Sequence, residues 1–153
     1  MRASQYVSER LTPCGVFEIW VKRHSSRDFI LERLIKNLIP TIGKAALANI
    51  QIGAGTAASH IAIGTGVLAA ADADTTLGTE VLRMAATRSR ITTTTLNDTA
   101  NYTADIAIGT SYTISEAGLL NAASAGDLYA RQVFTGVVVI SGDYFRAVWK
   151  FIN

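Results

Sequence analysis

Tyr144-Phe145-Arg146-Ala147-Val148-Trp149-Lys150-Phe151-Ile152 decides the fold of this chain. Phe145, Ala147, Trp149 and Phe151 fall on one side of an extended backbone, and Tyr144, Arg146, Val148 and Lys150 on the other. The first side is apolar and belongs in a core. Burying a Trp and two Phe contributes several kcal/mol, at about 25 cal/mol per Å² of apolar area. The period of two predicts a strand with one dry face. Gly15 to Arg23 alternates in the same way, with Val16, Glu18 and Trp20 set against Phe17, Ile19 and Val21. Trp20, Phe145, Trp149 and Phe151 are the expected core aromatics.

The pentapeptide Ile-Ala-Ile-Gly-Thr occurs twice, at Ile61–Thr65 and Ile106–Thr110. Gly and Thr disfavour a helix interior, while Ile and Thr suit a pleated strand. Each copy reads as a buried strand ending in a turn. Their flanks differ, so two analogous strands in one β domain are expected rather than a repeat array. Further strands are expected over residues 102–108, 112–115, 128–134, 137–140 and 144–152, separated by Gly/Asp/Ser/Asn breaks. Ile91-Thr92-Thr93-Thr94-Thr95-Leu96 adds a β-branched run closed by the turn residues Asn97 and Asp98.

The N-terminal third is less uniform. Pro40 opens a stretch rich in Ala and Leu, which predicts a helix over about 40–49. Residues 28–39 fit two patterns. Phe29, Ile30, Arg33, Leu34 and Leu38 have helical spacing, with Ser25 and Asp28 resembling a capping pair. Phe29, Leu31, Arg33 and Ile35 equally fit a hairpin strand returning from Trp20. Residues 67–76 read as a surface loop, and 77–83 as one helical turn or a strand start. The expected fold class is mainly β, an antiparallel β-sandwich or barrel with one or two helices in the N-terminal third. Residues 1–14 read as an extended arm and 15–153 as a single β-rich domain.

A chain of 153 residues makes one domain. Charged residues are 17%, below the roughly 25% usual in soluble domains, and hydrophobic residues are 49%. A surface short of charge suits coverage by a partner. A net charge of +2 is too weak to predict specific nucleic-acid binding. One cysteine, Cys14, leaves no internal disulfide and no Cys-cluster zinc site. No run reaches the roughly 18–20 apolar residues of a membrane helix, and the N-terminus lacks a signal-peptide core. Folding in a cytoplasm is therefore expected.

Candidate chemistry is sparse. His24 or His60 with Cys14 or a serine would make a dyad, but no Gly-x-Ser-x-Gly surrounds any serine. A turn histidine and a strand-end histidine are expected instead. Asp72, Asp74 and Glu80 offer oxygen ligands for a hard cation without the spacing of a calcium loop, so a solvated acidic loop is expected. Gly53-Ala54-Gly55 and Gly64-Thr65-Gly66 lack the Lys-Ser/Thr of a P-loop and read as tight turns needing positive φ. Arg83, Arg88 and Arg90 read as a solvated edge strand or a rim contact. No catalytic, cofactor-binding or metal residue is expected. A structural network is: Glu80 and Glu116 adjoin aliphatics, and a partly buried carboxylate needs a partner. Arg83 is expected to pair with Glu80 or Glu116 and to fix how the two Ile-Ala-Ile strands meet.

Several stretches together resemble small structural proteins of tailed bacteriophages. They are His60-Ile61-Ala62-Ile63-Gly64-Thr65-Gly66, Asp74-Thr75-Thr76-Leu77-Gly78-Thr79-Glu80-Val81-Leu82-Arg83, Ile114-Ser115-Glu116-Ala117-Gly118-Leu119-Leu120-Asn121-Ala122 and Gly126-Asp127-Leu128-Tyr129-Ala130-Arg131. Phe134 and Gly142-Asp143-Tyr144 leading to Trp149 complete the pattern. The resemblance covers roughly 15–151 and treats Glu-x-Gly-Leu-x-Asn as a turn. It implies a non-enzymatic virion part without cofactors: a capsid cement (decoration) protein that binds major-capsid subunits and stabilises the shell. It equally spans tail, baseplate or fibre-adaptor subunits. A small ligand-binding β domain is a third reading. The implied partners are the major capsid protein or other virion subunits and further copies in a homo-oligomer, a trimer or dimer, with no membrane and no specific nucleic acid. The implied location is the virion, assembled in the host cytoplasm. The polar, patternless arm over residues 1–14, beside a well-patterned domain, is expected to reach a neighbour by strand addition.

Overall fold

The computed structural model describes residues 14–152, and the N-terminal arm expected over 1–14 lies almost wholly outside them. Nine strands and one helix follow in the order β1 (Cys14–Lys22), β2 (Ile30–Lys36), α1 (Thr41–Gln51), β3 (His60–Gly64), β4 (Glu80–Ala85), β5 (Thr87–Ile91), β6 (Thr99–Ala107), β7 (Tyr112–Leu120), β8 (Leu128–Val139) and β9 (Tyr144–Ile152). They form two antiparallel sheets. One has the order β2-β1-β9-β6-β5 and the other β4-β3-β7-β8. The sheets face each other as a sandwich, and neither closes into a barrel among the described residues.

The core lies between the sheets. Phe17, Ile19 and Val21 of β1 and Phe145, Ala147, Trp149 and Phe151 of β9 meet Ile61 and Ile63 of β3, Ile114, Ala117 and Leu119 of β7, and Val137 and Val139 of β8. Phe17 stacks on Trp149 with ring centroids 4.1 Å apart. The two Ile-Ala-Ile copies lie in opposite sheets, one in β3 and one at the end of β6, and both feed this core.

A second, smaller core explains why β3 and β7 lack alternation. Ala62, Leu120 and Leu128 point away from the sandwich interior and are covered by Leu77 and by Ile42 of α1. A strand buried on both faces reads as a continuous apolar run. Helix α1 lies close on β8 because Gly43 presents no side chain: a Cβ there would come within 2.3 Å of the Tyr129 carbonyl.

Several expectations are corrected. Trp20 is half-buried on the outer face of its sheet, where its indole N–H donates to Glu18 Oε2 at 3.0 Å. It shares Glu18's side of β1, and that side faces out. Of the two patterns open for residues 28–39, the hairpin strand returning from Trp20 is the one formed, as β2, so α1 is the single helix among the described residues. The β-branched run after Arg90 leaves the sheet at Ile91. Residues 92–97 form a loop because Asp98 captures the Thr93, Thr94 and Thr95 amides at 2.8–2.9 Å, which a strand pairing would otherwise use. The Glu-x-Gly-Leu segment is the middle of β7, not a turn. The two strands expected over 128–134 and 137–140 are one, β8.

Candidate functional site: a buried carboxylate clamp

Glu116 sits in mid-β7 on the face covered by α1 and the β3–β4 connection, and it is fully buried. Its cross-strand neighbour on β3 is Gly64. An isolated carboxylate buried this deeply would be prohibitively costly, so it must be paired and hydrogen-bonded. Both conditions hold. Oε1 accepts the Gly66 amide at 3.0 Å and the Thr79 amide at 2.6 Å. Oε2 accepts the Gly78 amide at 2.9 Å, and Arg131 Nη2 and Nε at 2.8 and 3.1 Å.

Arg131 projects from β8 onto the same face and is itself buried. Its Nη1 donates to Asp74 Oδ2 at 2.7 Å and its Nη2 also to the Leu68 carbonyl at 3.2 Å. Asp74 in turn accepts the Ala71 amide at 2.8 Å. Burial pushes the Glu116 carboxyl up, but hydrogen bonds from Thr79, Arg131 and Gly78 outweigh it and hold the group below its ordinary range. The Asp74 carboxyl is held low in the same way, against burial, by Ala71 and Arg131. The Arg131 guanidinium is held charged by both carboxylates against its own desolvation.

The arrangement acts on the loop over 65–79. The Thr65 amide donates to the Thr79 carbonyl at 2.9 Å and closes the loop's neck. Glu116 grips both sides of that neck, and Arg131 reaches the loop's middle. Farther out, the Thr41 amide donates to the Asp72 carbonyl at 2.8 Å and ties the loop to the start of α1. Loop residues Val67 and Leu68 point outward, 76% and 78% exposed.

The glycines flanking the neck take on a new role. Gly64, Gly66 and Gly78 do not have positive φ, so turn strain does not select them; Gly53 and Gly55, at φ 74° and 134°, match the tight-turn expectation. A Cβ at Gly66 would meet Glu116 Oε1 at 2.4 Å, and one at Gly64 the Thr79 carbonyl at 2.3 Å. The Gly-Thr-Gly stretch does cradle an anion, and the anion is the chain's own Glu116.

The proposed Glu80–Arg83–Glu116 network is therefore split. Arg83 pairs with Glu80 through two bonds of 2.6 and 2.7 Å, and its Nη1 donates to the Ala122 and Ala125 carbonyls at 2.9 Å. It fastens β4 to the β7–β8 turn. Glu116 belongs to Arg131, a residue not singled out as its partner, because β7 and β8 are paired with Gly118 opposite Arg131. Arg83 does not join the Ile-Ala-Ile strands, which lie in different sheets.

The other candidates are dispersed. Asp72 faces Lys44 at 3.4 Å, so the three acidic residues considered as cation ligands, Asp72, Asp74 and Glu80, each have a basic partner. No group of three or more His, Cys, Asp or Glu side chains with metal-binding spacing occurs among the described residues. His60 Nδ1 lies 2.8 Å from the hydroxyl of its sequence neighbour Ser59. His24 is exposed, with Nδ1 3.6 Å from Asp143 Oδ1. Asp143, fully buried, is a second clamp: it accepts the His24 and Ile140 amides at 2.9 and 3.1 Å and Arg23 Nη1 at 3.0 Å, joining the β1–β2 and β8–β9 turns. Arg88 and Arg90 lie on β5, an exposed edge strand as expected, but Arg83, grouped with them, lies on β4 with its side chain largely buried by its bonds to Glu80 and the Ala122 and Ala125 carbonyls.

Fold and site together define a two-sheet β-sandwich that displays one long loop, held by a buried carboxylate and guanidinium. No family model, curated protein or solved structure matches the chain.

Proposed function

We propose that the chain is a non-enzymatic structural subunit of a tailed-phage virion, specifically a capsid cement protein that clamps neighbouring major-capsid subunits. One observation carries the reading. The stretches that resemble phage structural proteins are far apart in sequence, yet Gly64, Gly66, Gly78, Thr79, Glu116 and Arg131 from those stretches meet at one clamp. The pattern is thus the signature of one device, a loop fixed at its neck and middle with Val67 and Leu68 offered to solvent. Side chains that apolar on an anchored loop suit a docking element, because little ordering entropy remains to be lost on binding. The low charged fraction of the chain agrees with a surface that is largely covered after assembly.

The test is the chain's copy number in purified particles, by quantitative mass spectrometry and electron microscopy. Hundreds of copies support the cement role, and a dozen or fewer assign it to the tail or its adaptors. Absence from particles refutes the virion reading. In particles that carry it, Val67→Asp with Leu68→Asp is expected to cut occupancy at least tenfold without unfolding the domain.

A further inference from the structure

Strand β2 forms one edge of the five-stranded sheet. Its side chains Ile30, Leu31 and Leu34 are 60%, 43% and 65% exposed. An edge strand presents unpaired amides and carbonyls and is normally protected by charge, by a bulge or by a covering segment. The other long edge has such cover: Leu38 bridges to Arg131 of β8, and Arg23 donates to the Val138 carbonyl at 2.7 Å. Edge β5 carries Arg88 and Arg90. Strand β2 has a register slip and the charges of Glu32, Arg33 and Lys36, but among the described residues nothing pairs with its outer edge, and it carries a row of exposed aliphatics.

Its backbone is oriented for pairing. The Asn37 amide donates to the Gly15 carbonyl at 3.1 Å, toward β1. By the alternation of an antiparallel ladder, Lys36 and Leu34 turn their amides and carbonyls outward. The register against β1 slips at Glu32, whose carbonyl accepts its neighbour Arg33 Nη1 at 2.7 Å. The segment open to a partner therefore runs from Glu32 to Lys36.

We infer that β2 pairs antiparallel with β2 of a second copy about a two-fold axis through Leu34, joining two five-stranded sheets into one. The choice of register follows from symmetry and charge. A two-fold axis perpendicular to the sheet keeps each side chain on its own face, so opposed residues must have numbers of equal parity. Centring on Arg33 sets two arginines face to face, and centring on Glu32 sets two glutamates face to face. Like charges directly opposite are destabilising. Centring on Leu34 opposes Leu34 to Leu34 and sets Glu32 against Lys36 twice, once on each side of the axis. This register alone joins an apolar centre to complementary charges, and it uses the residues whose backbone groups already point outward. The contact is isologous and closes at two copies, so it makes a dimer and no filament. It gives the homo-oligomer of the virion reading a definite surface but does not depend on a virion.

The full-length chain, purified alone, tests it by light scattering and sedimentation across a concentration series. A dimer is expected. Leu34→Lys opposes two lysines at the axis and should yield a monomer with an unchanged far-UV spectrum, since Leu34 is mostly exposed. Lys36→Glu should weaken the dimer at least tenfold, and adding Glu32→Lys should restore it. In a Cys14→Ser background, Leu34→Cys should cross-link to a covalent dimer on mild oxidation, because opposed Cα atoms in a hydrogen-bonded pair lie about 5.5 Å apart, within disulfide reach. A chain that stays monomeric throughout, a dimer untouched by Leu34→Lys, or a dimer that Leu34→Cys does not cross-link overturns the inference. None of these results bears on particle copy number, so the two proposals fail separately.

Discussion

Two arginine–carboxylate pairs in this protein use the same chemistry to different ends. Arg131 and Glu116 are buried between β7, β8 and the 65–79 loop, with side chains 3% and 0% exposed. Arg146 and Asp105 sit on adjacent strands of the outer sheet face, 35% and 40% exposed, joined by bonds of 2.6 and 2.7 Å. The outer pair has the better bidentate geometry. The buried pair has the greater structural consequence, because three loop amides depend on the same fully buried carboxylate. Distance alone does not rank ion pairs; what else would be stranded by their loss does.

Glu116→Gln should therefore be the most damaging of these changes. It leaves Arg131 short of a counter-charge and swaps an acceptor oxygen for a donor amide facing loop N–H groups. A loss of roughly 3–5 kcal/mol of unfolding free energy is expected, read by chemical denaturation. The same variant sharpens the comparison through pH. The Glu116, Asp74 and Asp143 carboxyls are all held below their ordinary range. Between folded and unfolded values the unfolded chain binds more protons, so stability rises with pH there. The contribution is present above the unfolded carboxyl range, about pH 4–4.5, and is lost as the solution is acidified through the lower folded values. Glu116→Gln should flatten that acid limb.

Gly64→Ala attacks the clamp without touching charge. The new methyl would press on the Thr79 backbone carbonyl, which cannot swing aside as a side-chain tip would, and on the Glu116 side chain at 2.7–2.9 Å. Overpacking of this kind costs about 1–3 kcal/mol. Hydrogen exchange at Gly66, Gly78 and Thr79 should accelerate more than at core amides of β9. Equal acceleration everywhere would mean that the loop neck unfolds only with the whole domain.

The sequence makes the five-stranded sheet far more legible than the clamp. β9 and β1 have one dry face, and alternation reveals them directly. β7 is buried on both faces, so Ile114 to Leu120 has no alternation to read, and its Glu and Gly suggest a turn. Glu116 is recognisable as a carboxylate in need of a partner, because it sits among aliphatics. The identity of that partner is not recoverable from spacing, since Arg131 is set opposite Gly118 by the β7–β8 register, and bulges shift that register twice. Trp20 fails for a related reason: alternation separates two faces without saying how wet the second one is. The threonine run after Arg90 fails because one side chain, Asp98, outcompetes strand pairing for its amides.

Asp105→Asn should have the smallest effect and closes the comparison. It removes the outer pair's charge while keeping a side chain of similar size, and it leaves Arg146 over the Phe29 ring, 3.9 Å from its centroid. Exposed pairs contribute about 0.2–1 kcal/mol, and salt screens them. A shift within that range, shrinking further at high ionic strength, is expected in denaturant titrations. A loss as large as that of Glu116→Gln would mean that the outer face is less wet than its exposure implies. In the proposed dimer joined at β2 this face would continue across the axis, so comparing Asp105→Asn in the wild-type background and with Leu34→Lys would locate that dryness.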